Sequence, residues 1–286
     1  MFKFYYSSGL VKYLVYHKAN FMEKIKVVFL GSRPLGFFAL EQLKTIKNIE
    51  IVGSVVKKPL AKSWWKKDPF YLSTRNIISH EDLHSIDFDF GVSINYWKII
   101  EPSLIKKPKM GFVNMHHSYM LSLRGRDMTT HALLNARQSN RWYHGSTFHY
   151  TDDGLDTGPI IATESCPITE HDTAWTLFNK VESLARSILK IWLPRTLGSN
   201  PPVSMPEAQQ PLNLRSDVSL KNIRDIFKDP ERSYDIVRAY DFNGWYEPAS
   251  TEISGSLIYL TTNSLIGNNI ILEVDAGRKI YECNYA

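Results

Sequence analysis

The sequence has 286 residues but only two cysteines, and this scarcity excludes several classes of protein. Cys166 and Cys283 lie far apart, and no C-x-x-C pair is present. A disulfide framework and a zinc ribbon both need more cysteines at closer spacing. We therefore expect a protein of a reducing, cytoplasmic compartment, and we expect no bound metal.

Nucleotide fingerprints and long apolar runs are also missing. The turn after the first strand-like run reads GSRPLG, which is neither G-x-G-x-x-G nor a phosphate-binding loop ending in Lys-Ser/Thr. No apolar run is long enough to span a bilayer, and residues 1–22 lack a small-residue cleavage site. We interpret residues 1–22 as an optional N-terminal extension and expect no membrane partner. A weak amphipathic membrane contact of this segment is the alternative.

The remaining pattern predicts an α/β fold. A crossover unit is indicated by four consecutive features: a continuous apolar run at 25–30, the glycine turn, helical periodicity at 37–46 and a second apolar run at 48–56. Such a unit implies that its two strands are parallel. We predict a Rossmann-like, mostly parallel sheet in a catalytic domain of residues 23–200. Further strands are expected at 87–97, 111–117, 142–154 and 158–168, and helices at 101–109, 126–137 and 173–197.

A linker rich in proline and polar residues, GSNPPVSMPEAQQP, begins at Gly198. We predict a small C-terminal accessory domain of α+β or β type over residues 201–286. Two short helices are expected within it, at 219–227 and 233–242, and strands at 247–253, 256–262 and 269–275.

Candidate catalytic groups lie in the segment GFVNMHHSYMLSLRG, residues 111–125. Side chains alternate along a strand, so Asn114 and His116 share one face and His117 points to the other. A later acidic turn, TDDGLDTGP, places Asp156 just before a strand. An amide is able to donate to a developing oxyanion, an imidazole to take a proton, and a carboxylate to hold the imidazole. Since this set needs no Ser or Cys nucleophile, it indicates acyl transfer to an amine.

These motifs resemble the formyltransferase family that uses 10-formyltetrahydrofolate, whose signature is N-x-H, a following run that ends in R-G, and a later D-x-G. Asn114, His116 and Asp156 fall on the catalytic residues of that family. Ser118, Arg124 and Gly125 fall on the run. The resemblance extends from about residue 25 to residue 196, and it is strongest to the nucleotide-linked sugar N-formyltransferases.

The resemblance implies positions for the formyl donor, 10-formyltetrahydrofolate. Backbone groups of Ile94, Asn95 and Tyr96 would meet the edge of the pterin ring. The acidic loop that carries Asp152 and Asp153 would close the other side of this pocket. The donor is a co-substrate that supplies the activated formyl group, and the protein positions and polarises it.

The acceptor implied by the resemblance is an amino-deoxy sugar linked to dTDP or UDP, formylated for surface polysaccharide or lipopolysaccharide O-antigen synthesis. We expect Arg124 to bind the pyrophosphate and Ser118 to contact substrate. Trp64 and Trp65 offer a base-stacking surface next to Lys66. A solvated loop that caps the sheet edge is an equal interpretation of this aromatic segment.

Other functions stay open at this point. A methionyl-tRNA formyltransferase has the same chemistry, and the net charge of +5 suits either anionic acceptor. The mixed charge of the C-terminal region speaks against tRNA, so we expect no nucleic acid partner. A glycinamide ribonucleotide acceptor, a formyltetrahydrofolate deformylase and a non-catalytic binding module are further alternatives. The accessory domain also offers a surface for a homodimer.

Overall fold

The computed structural model describes residues 23–57, 74–199, 201–206, 212–213, 220–225, 228–253, 256–262, 265–266, 269–274 and 277–282. Side chains beyond residue 262 are not part of this description. The predicted N-terminal extension, residues 1–22, lies outside it, as do Trp64, Trp65 and Lys66 of the predicted stacking segment.

A central six-stranded sheet organises the larger part of the chain. Its strands are β1 (Ile25–Gly31), β2 (Ile49–Val56), β3 (Phe90–Ile94), β4 (Phe112–His116), β6 (Tyr143–Tyr150) and β7 (Ile160–Pro167). Their order is β2-β1-β3-β4-β6-β7. The first four strands are parallel, whereas β6 and β7 are antiparallel additions. The predicted Rossmann-like, mostly parallel sheet is therefore confirmed.

Helices pack on both sides of this sheet. They are α1 (Arg33–Lys44), α2 (Pro102–Ile105), α3 (Met128–Ala136) and α4 (Ala174–Gly198), with short 3-10 turns at Glu81–His84 and Tyr119–Leu121. The long helix α4 begins with a capping box, in which Thr173 accepts from the backbone of Thr176 and Thr176 accepts in return. Buried side chains of α1 and α4 form one core with β1, β3 and β4.

In the C-terminal part, the residues that the structure describes form one helix and several short strands. These are β8 (Leu212–Asn213), β9 (Asn222–Ile223), α5 (Pro230–Tyr240), β10 (Ala249–Ile253), β11 (Ser256–Leu260), β12 (Leu265–Ile266), β13 (Asn269–Val274) and β14 (Gly277–Glu282). The two-residue strand β8 pairs in parallel with β5 (Arg124–Gly125), a piece of the candidate catalytic segment. The division of the chain at residue 200 stays a prediction.

One hydrophobic cluster joins the C-terminal part to the larger part. Val237 of α5 and Leu260 of β11 are fully buried together with Leu133 of α3 and Val181 of α4. Apolar area shared in this way stabilises the contact, because about 25 cal/mol is gained for each Å² removed from water.

The structure differs from the sequence prediction in several places. The helix expected at 219–227 is wrong, because Ile223 pairs with Thr251 as strand β9. Strand β3 ends at Ile94, before the expected end at Trp97, and Asn95 has a left-handed backbone with φ of 55°. The final strand β14, which pairs with β13, was not predicted.

Candidate active site

The predicted catalytic pair lies at the carboxyl end of β4. Asn114 is half-buried and His116 is buried, with 8% of its surface exposed. Strand β6 pairs antiparallel with β4, so that His149 lies opposite Asn114 and Thr147 lies opposite His116. These polar groups lie at the carboxyl ends of the parallel strands. Open α/β sheets usually bind their ligands at this edge.

A tight loop after β4 brings the backbone carbonyl of Leu123 next to the ring of His116. The hydroxyl of Ser118 accepts from the backbone N–H of Leu123 at 2.8 Å, and Thr147 donates to the carbonyl of Ser118 at 2.6 Å. The carbonyl of Leu123 then lies 2.8 Å from Nε2 of His116. Ser118 is fully buried, so its position fits bracing of the loop and not the substrate contact expected from the sequence.

The same loop contains two strained residues. Met120 and Leu121 both have φ of 54°, in the left-handed region that costs non-glycine residues about 1 kcal/mol or more. The buried side chain of Leu121 and the hydrogen bond from the Met120 N–H to Thr163 at 3.2 Å hold this shape. The surrounding structure thus determines the shape of this loop.

Asp156 reaches the pair from the loop between β6 and β7. Its Oδ1 lies 3.4 Å from Nδ1 of His116, and its Oδ2 accepts from the backbone N–H of Gly125 at 2.9 Å. Two glycines make this approach feasible. Gly125 has φ of 95°, and a Cβ on Gly158 would lie 1.9 Å from the carbonyl oxygen of Tyr150. The structure therefore brings Asp156 to His116, and Asn114 lies two residues earlier on the same strand. The catalytic roles of the three residues stay a prediction.

Hydrogen bonding assigns one proton of His116. A carbonyl oxygen only accepts, so Nε2, which contacts the carbonyl of Leu123, carries a proton. Nδ1 faces the carboxylate of Asp156. Nδ1 is therefore the ring nitrogen that is left to take up a further proton.

His149 is a site residue that the sequence reasoning missed. It is 1% exposed, and its Nε2 lies 3.2 Å from Nδ2 of Asn114. Burial lowers the pKa of His149 to about 4, although the negative charge of nearby Asp156 opposes this shift. The sequence shows only a histidine on a predicted strand, whereas the antiparallel register that brings residues 114 and 149 together is seen in the structure.

The predicted pterin-binding residues lie at the end of neighbouring strand β3. The backbone N–H of Ser32 donates to the carbonyl of Ile94, and the hydroxyl of Ser32 donates to the carbonyl of Asn95 at 2.6 Å. Nδ2 of Asn95 is buried and has no hydrogen-bond partner among the residues that the structure describes. An unsatisfied buried donor of this kind fits a ligand that presents an acceptor.

Tyr96 and the acidic turn border the same region. The Tyr96 hydroxyl lies 2.6 Å from Nδ1 of His80, and burial raises its pKa to about 12. Asp152 accepts from the hydroxyl of Thr157 at 2.5 Å and so stabilises the turn. Asp153 is exposed and forms a 2.6 Å ion pair with Lys106.

Arg124 and His117 occupy distinct positions around the pair. Nε of Arg124 donates to the carbonyl of Leu155 at 2.9 Å, which fixes the side chain beside the acidic turn. His117 contacts Ser146 at 2.8 Å and Glu182 of α4 at 3.2 Å. These partners lie in the layer of the long helix, as expected for a side chain on the opposite face from His116.

No group of three His, Cys, Asp or Glu side chains within the described ranges is arranged to hold a metal ion. In the same ranges, every helix is too short or too polar to cross a membrane.

Comparison with known families gives a match for about half of the chain. The family model of the formyl transferases matches residues 53–193, which contain the site described above. Methionyl-tRNA formyltransferase of Listeria innocua serovar 6a is 28% identical over 183 residues. That alignment covers 59% of this chain and 57% of the relative, so the chain spans little more than half the length of such relatives.

Solved structures share the fold over most of the chain. A 4-N formyltransferase from Francisella tularensis has a TM-score of 0.68 at 16% identity, and the match covers 84% of this chain and 97% of that one. An N-formyltransferase from Helicobacter canadensis, solved with folinic acid and dTDP-3-aminofucose, also has a TM-score of 0.68, at 21% identity. That match covers 91% of this chain and 96% of the Helicobacter protein.

Proposed function

The chain belongs to the formyl transferase family, and from this premise we propose that it transfers a formyl group from 10-formyltetrahydrofolate to the amine of a dTDP- or UDP-linked amino-deoxy sugar. The observation that carries the proposal is the meeting of Asn114, His116 and Asp156 at one end of the sheet. These groups polarise a carbonyl and accept a proton, and the acceptor amine is itself the nucleophile.

Asn114 acts on the formyl oxygen. Its carboxamide lies at the carboxyl end of β4, where one N–H is available to donate to a ligand while the other faces His149. Negative charge grows on the formyl oxygen as the amine attacks. A donor that is already in place stabilises this charge without reorganisation, and loss of one such donor costs on the order of a hundredfold or more in turnover.

As the amine nitrogen bonds to the formyl carbon, the bond between that carbon and N10 of the tetrahydrofolate breaks. His116 and Asp156 take the proton that the amine loses, and this proton passes on to the departing nitrogen. Nε2 of His116 already carries a proton, which it donates to Leu123, so Nδ1 is the nitrogen that accepts. Nδ1 faces Oδ1 of Asp156 at 3.4 Å, and the carboxylate stabilises the imidazolium that forms. The N–H of Gly125 holds the other carboxylate oxygen in place.

The formyl donor would lie between the end of β3 and the acidic turn. The unsatisfied Nδ2 of Asn95 supports a ligand with hydrogen-bond acceptors at this position. The ion pair between Lys106 and Asp153 joins the segment after β3 to the turn. The donor supplies the activated formyl carbon, and this chain supplies its placement.

Similarity over most of the chain to the Helicobacter N-formyltransferase, which was solved with dTDP-3-aminofucose, supports a sugar acceptor. The two N-formyltransferase structures from Francisella and Helicobacter are matched over 97% and 96% of their lengths, C-terminal part included. The guanidinium of Arg124, held beside the acidic turn, is a suitable partner for a pyrophosphate. Methionyl-tRNA is the second candidate acceptor, because the Listeria relative, which is 28% identical, is a methionyl-tRNA formyltransferase by name.

A direct assay tests the proposal. The full chain is incubated with 10-formyltetrahydrofolate and a panel of dTDP- and UDP-linked amino sugars, and products are read by mass spectrometry. We expect a mass gain of one formyl group on at least one sugar and none on its N-acetylated counterpart, which has no free amine. Formylation of methionyl-tRNA without formylation of any sugar would show that methionyl-tRNA is the acceptor. Hydrolysis of the donor in the absence of any acceptor would indicate a deformylase.

A further inference from the structure

Asn114 has a hydrogen-bond partner whose protonation pattern is determined by the fold. His149 lies directly opposite it on β6, and its ring bridges two groups. Nδ1 is 2.7 Å from the carbonyl oxygen of Tyr150, and Nε2 is 3.2 Å from Nδ2 of Asn114. A carbonyl only accepts, so the hydrogen must lie on Nδ1.

The second nitrogen of this ring is therefore an acceptor. Burial disfavours the charged imidazolium and keeps the pKa of His149 at about 4, so at neutral pH the ring carries one proton only. Nε2 then presents a lone pair, which only a donor is able to meet. The side of Asn114 that faces His149 must be its NH₂ group, and the carboxamide oxygen must point elsewhere.

We infer that His149 is a positioning residue for formyl transfer, which fixes the rotational state of the Asn114 carboxamide so that one N–H is directed at the formyl oxygen. The inference rests on the proposed function. Without His149 the carboxamide is free to turn by 180°, which exchanges its N–H and C=O groups. A carbonyl in place of the N–H would repel the oxyanion that Asn114 has to stabilise.

The backbone strengthens this assignment. The carbonyl of Tyr150 that holds Nδ1 belongs to the residue next to His149, so the ring is oriented by its own strand. Strand β6 is in turn fixed between β4 and β7 by antiparallel pairing on both sides. The acceptor atom is thus set by the sheet and does not depend on a bound ligand.

Two substitutions of matched shape separate positioning from packing. His149→Gln keeps an acceptor that is able to reach Asn114, whereas His149→Met has nearly the same length and no strong acceptor. We expect kcat of His149→Met to fall by about tenfold to a hundredfold with the KM values for donor and acceptor little changed, because the lost contact acts in the transition state. His149→Gln should recover much of this loss.

A double-mutant cycle supplies the second test. In an Asn114→Ala background, His149→Met should lower kcat no further, since its effect passes through the Asn114 carboxamide. Additive losses would overturn the inference, as would a kcat of His149→Met within twofold of the unmodified protein. Equal losses in the Met and Gln variants, together with lowered melting temperatures, would assign His149 a packing role.

The tautomer is measurable without any activity. Long-range ¹H–¹⁵N spectra of the full chain should show His149 with its proton on Nδ1 and no titration between about pH 5.5 and pH 8. A ring protonated on Nε2 would overturn the inference even if formyl transfer is established. Failure of the proposed function would instead appear as absence of transfer by the unmodified chain with this tautomer intact.

Discussion

Nδ1 of His116 lies 3.4 Å from Oδ1 of Asp156, although the two residues are 40 positions apart in the chain. The side chains are 10% and 15% exposed, so water screens their interaction only in part. Gly125, which follows the loop after β4, holds the remaining carboxylate oxygen. The carboxylate of Asp156 therefore links the acidic turn both to strand β4, through His116, and to the loop that follows it, through Gly125.

Removal of the charge at this contact should remove activity while the shape is kept. In Asp156→Asn the side-chain oxygen still accepts from Gly125, but the imidazolium of His116 loses its counter-charge. We expect formyl transfer to fall by about a hundredfold to ten thousandfold, with a comparable loss in His116→Ala. Steady-state kinetics measure the effect, and circular dichroism checks the fold. A well-folded variant with nearly unchanged rates would remove that residue from the mechanism.

Acceptor choice should be visible in binding before any chemistry. We expect the chain to bind dTDP or UDP and to show no affinity for tRNA at physiological salt. Isothermal titration with each nucleotide, and with tRNA over a range of salt concentrations, measures this directly. Binding of tRNA that weakens steeply with salt, without nucleotide binding, would contradict the prediction, because phosphate contacts by Lys and Arg release counterions.

Much of the site could be predicted from local pattern. Alternation along β4 places Asn114 and His116 on one face. Among the acidic residues of its turn, Asp156 is selected because Gly158 and Pro159 follow it directly before a strand. The role of Ser118 could not be predicted, because the burial of its hydroxyl depends on a loop with left-handed residues at Met120 and Leu121. Sequence periodicity carries no signal for such a backbone.

Secondary structure could be predicted where apolar residues recur with a regular period and form one buried face of a helix or strand. Helix α4 and the strands of the central sheet have long, clear apolar patterns. The segment at 219–227 has a helical pattern too, but Thr251 pairs with Ile223 and its hydroxyl donates to the Ile223 carbonyl at 2.8 Å. This partner is 28 positions away, so tertiary pairing overrides a weak local propensity.

The C-terminal helix should depend on one buried carboxylate. Asp235 is 1% exposed, and its oxygens lie 3.0 Å from Nε of both Arg137 and Arg238. Arg238 is fully buried, so Asp235→Ala leaves its charge without that partner. We expect a loss of about 3–5 kcal/mol in the free energy of unfolding, measured by urea denaturation.

An exposed ion pair provides the matched control for Asp235. Glu247 forms a surface pair with Lys221, and more than half of its side chain is exposed. Glu247→Ala should leave the denaturation midpoint unchanged, because solvent screens such pairs. Similar losses in the two variants would show that burial does not distinguish these carboxylates.

Acid should destabilise the fold through His144, which is buried against Thr129 and has a pKa that burial lowers to about 3. The unfolded chain takes up the proton near pH 6.5, whereas the folded chain resists it, so the free energy of unfolding falls as the pH drops from about 6.5 toward 3. One such group contributes a slope of up to ~1.4 kcal/mol per pH unit. Urea denaturation at several pH values should therefore give a shallower acid slope for His144→Gln than for the unmodified chain. Equal slopes would mean that His144 is already protonated in the folded state and would contradict the prediction.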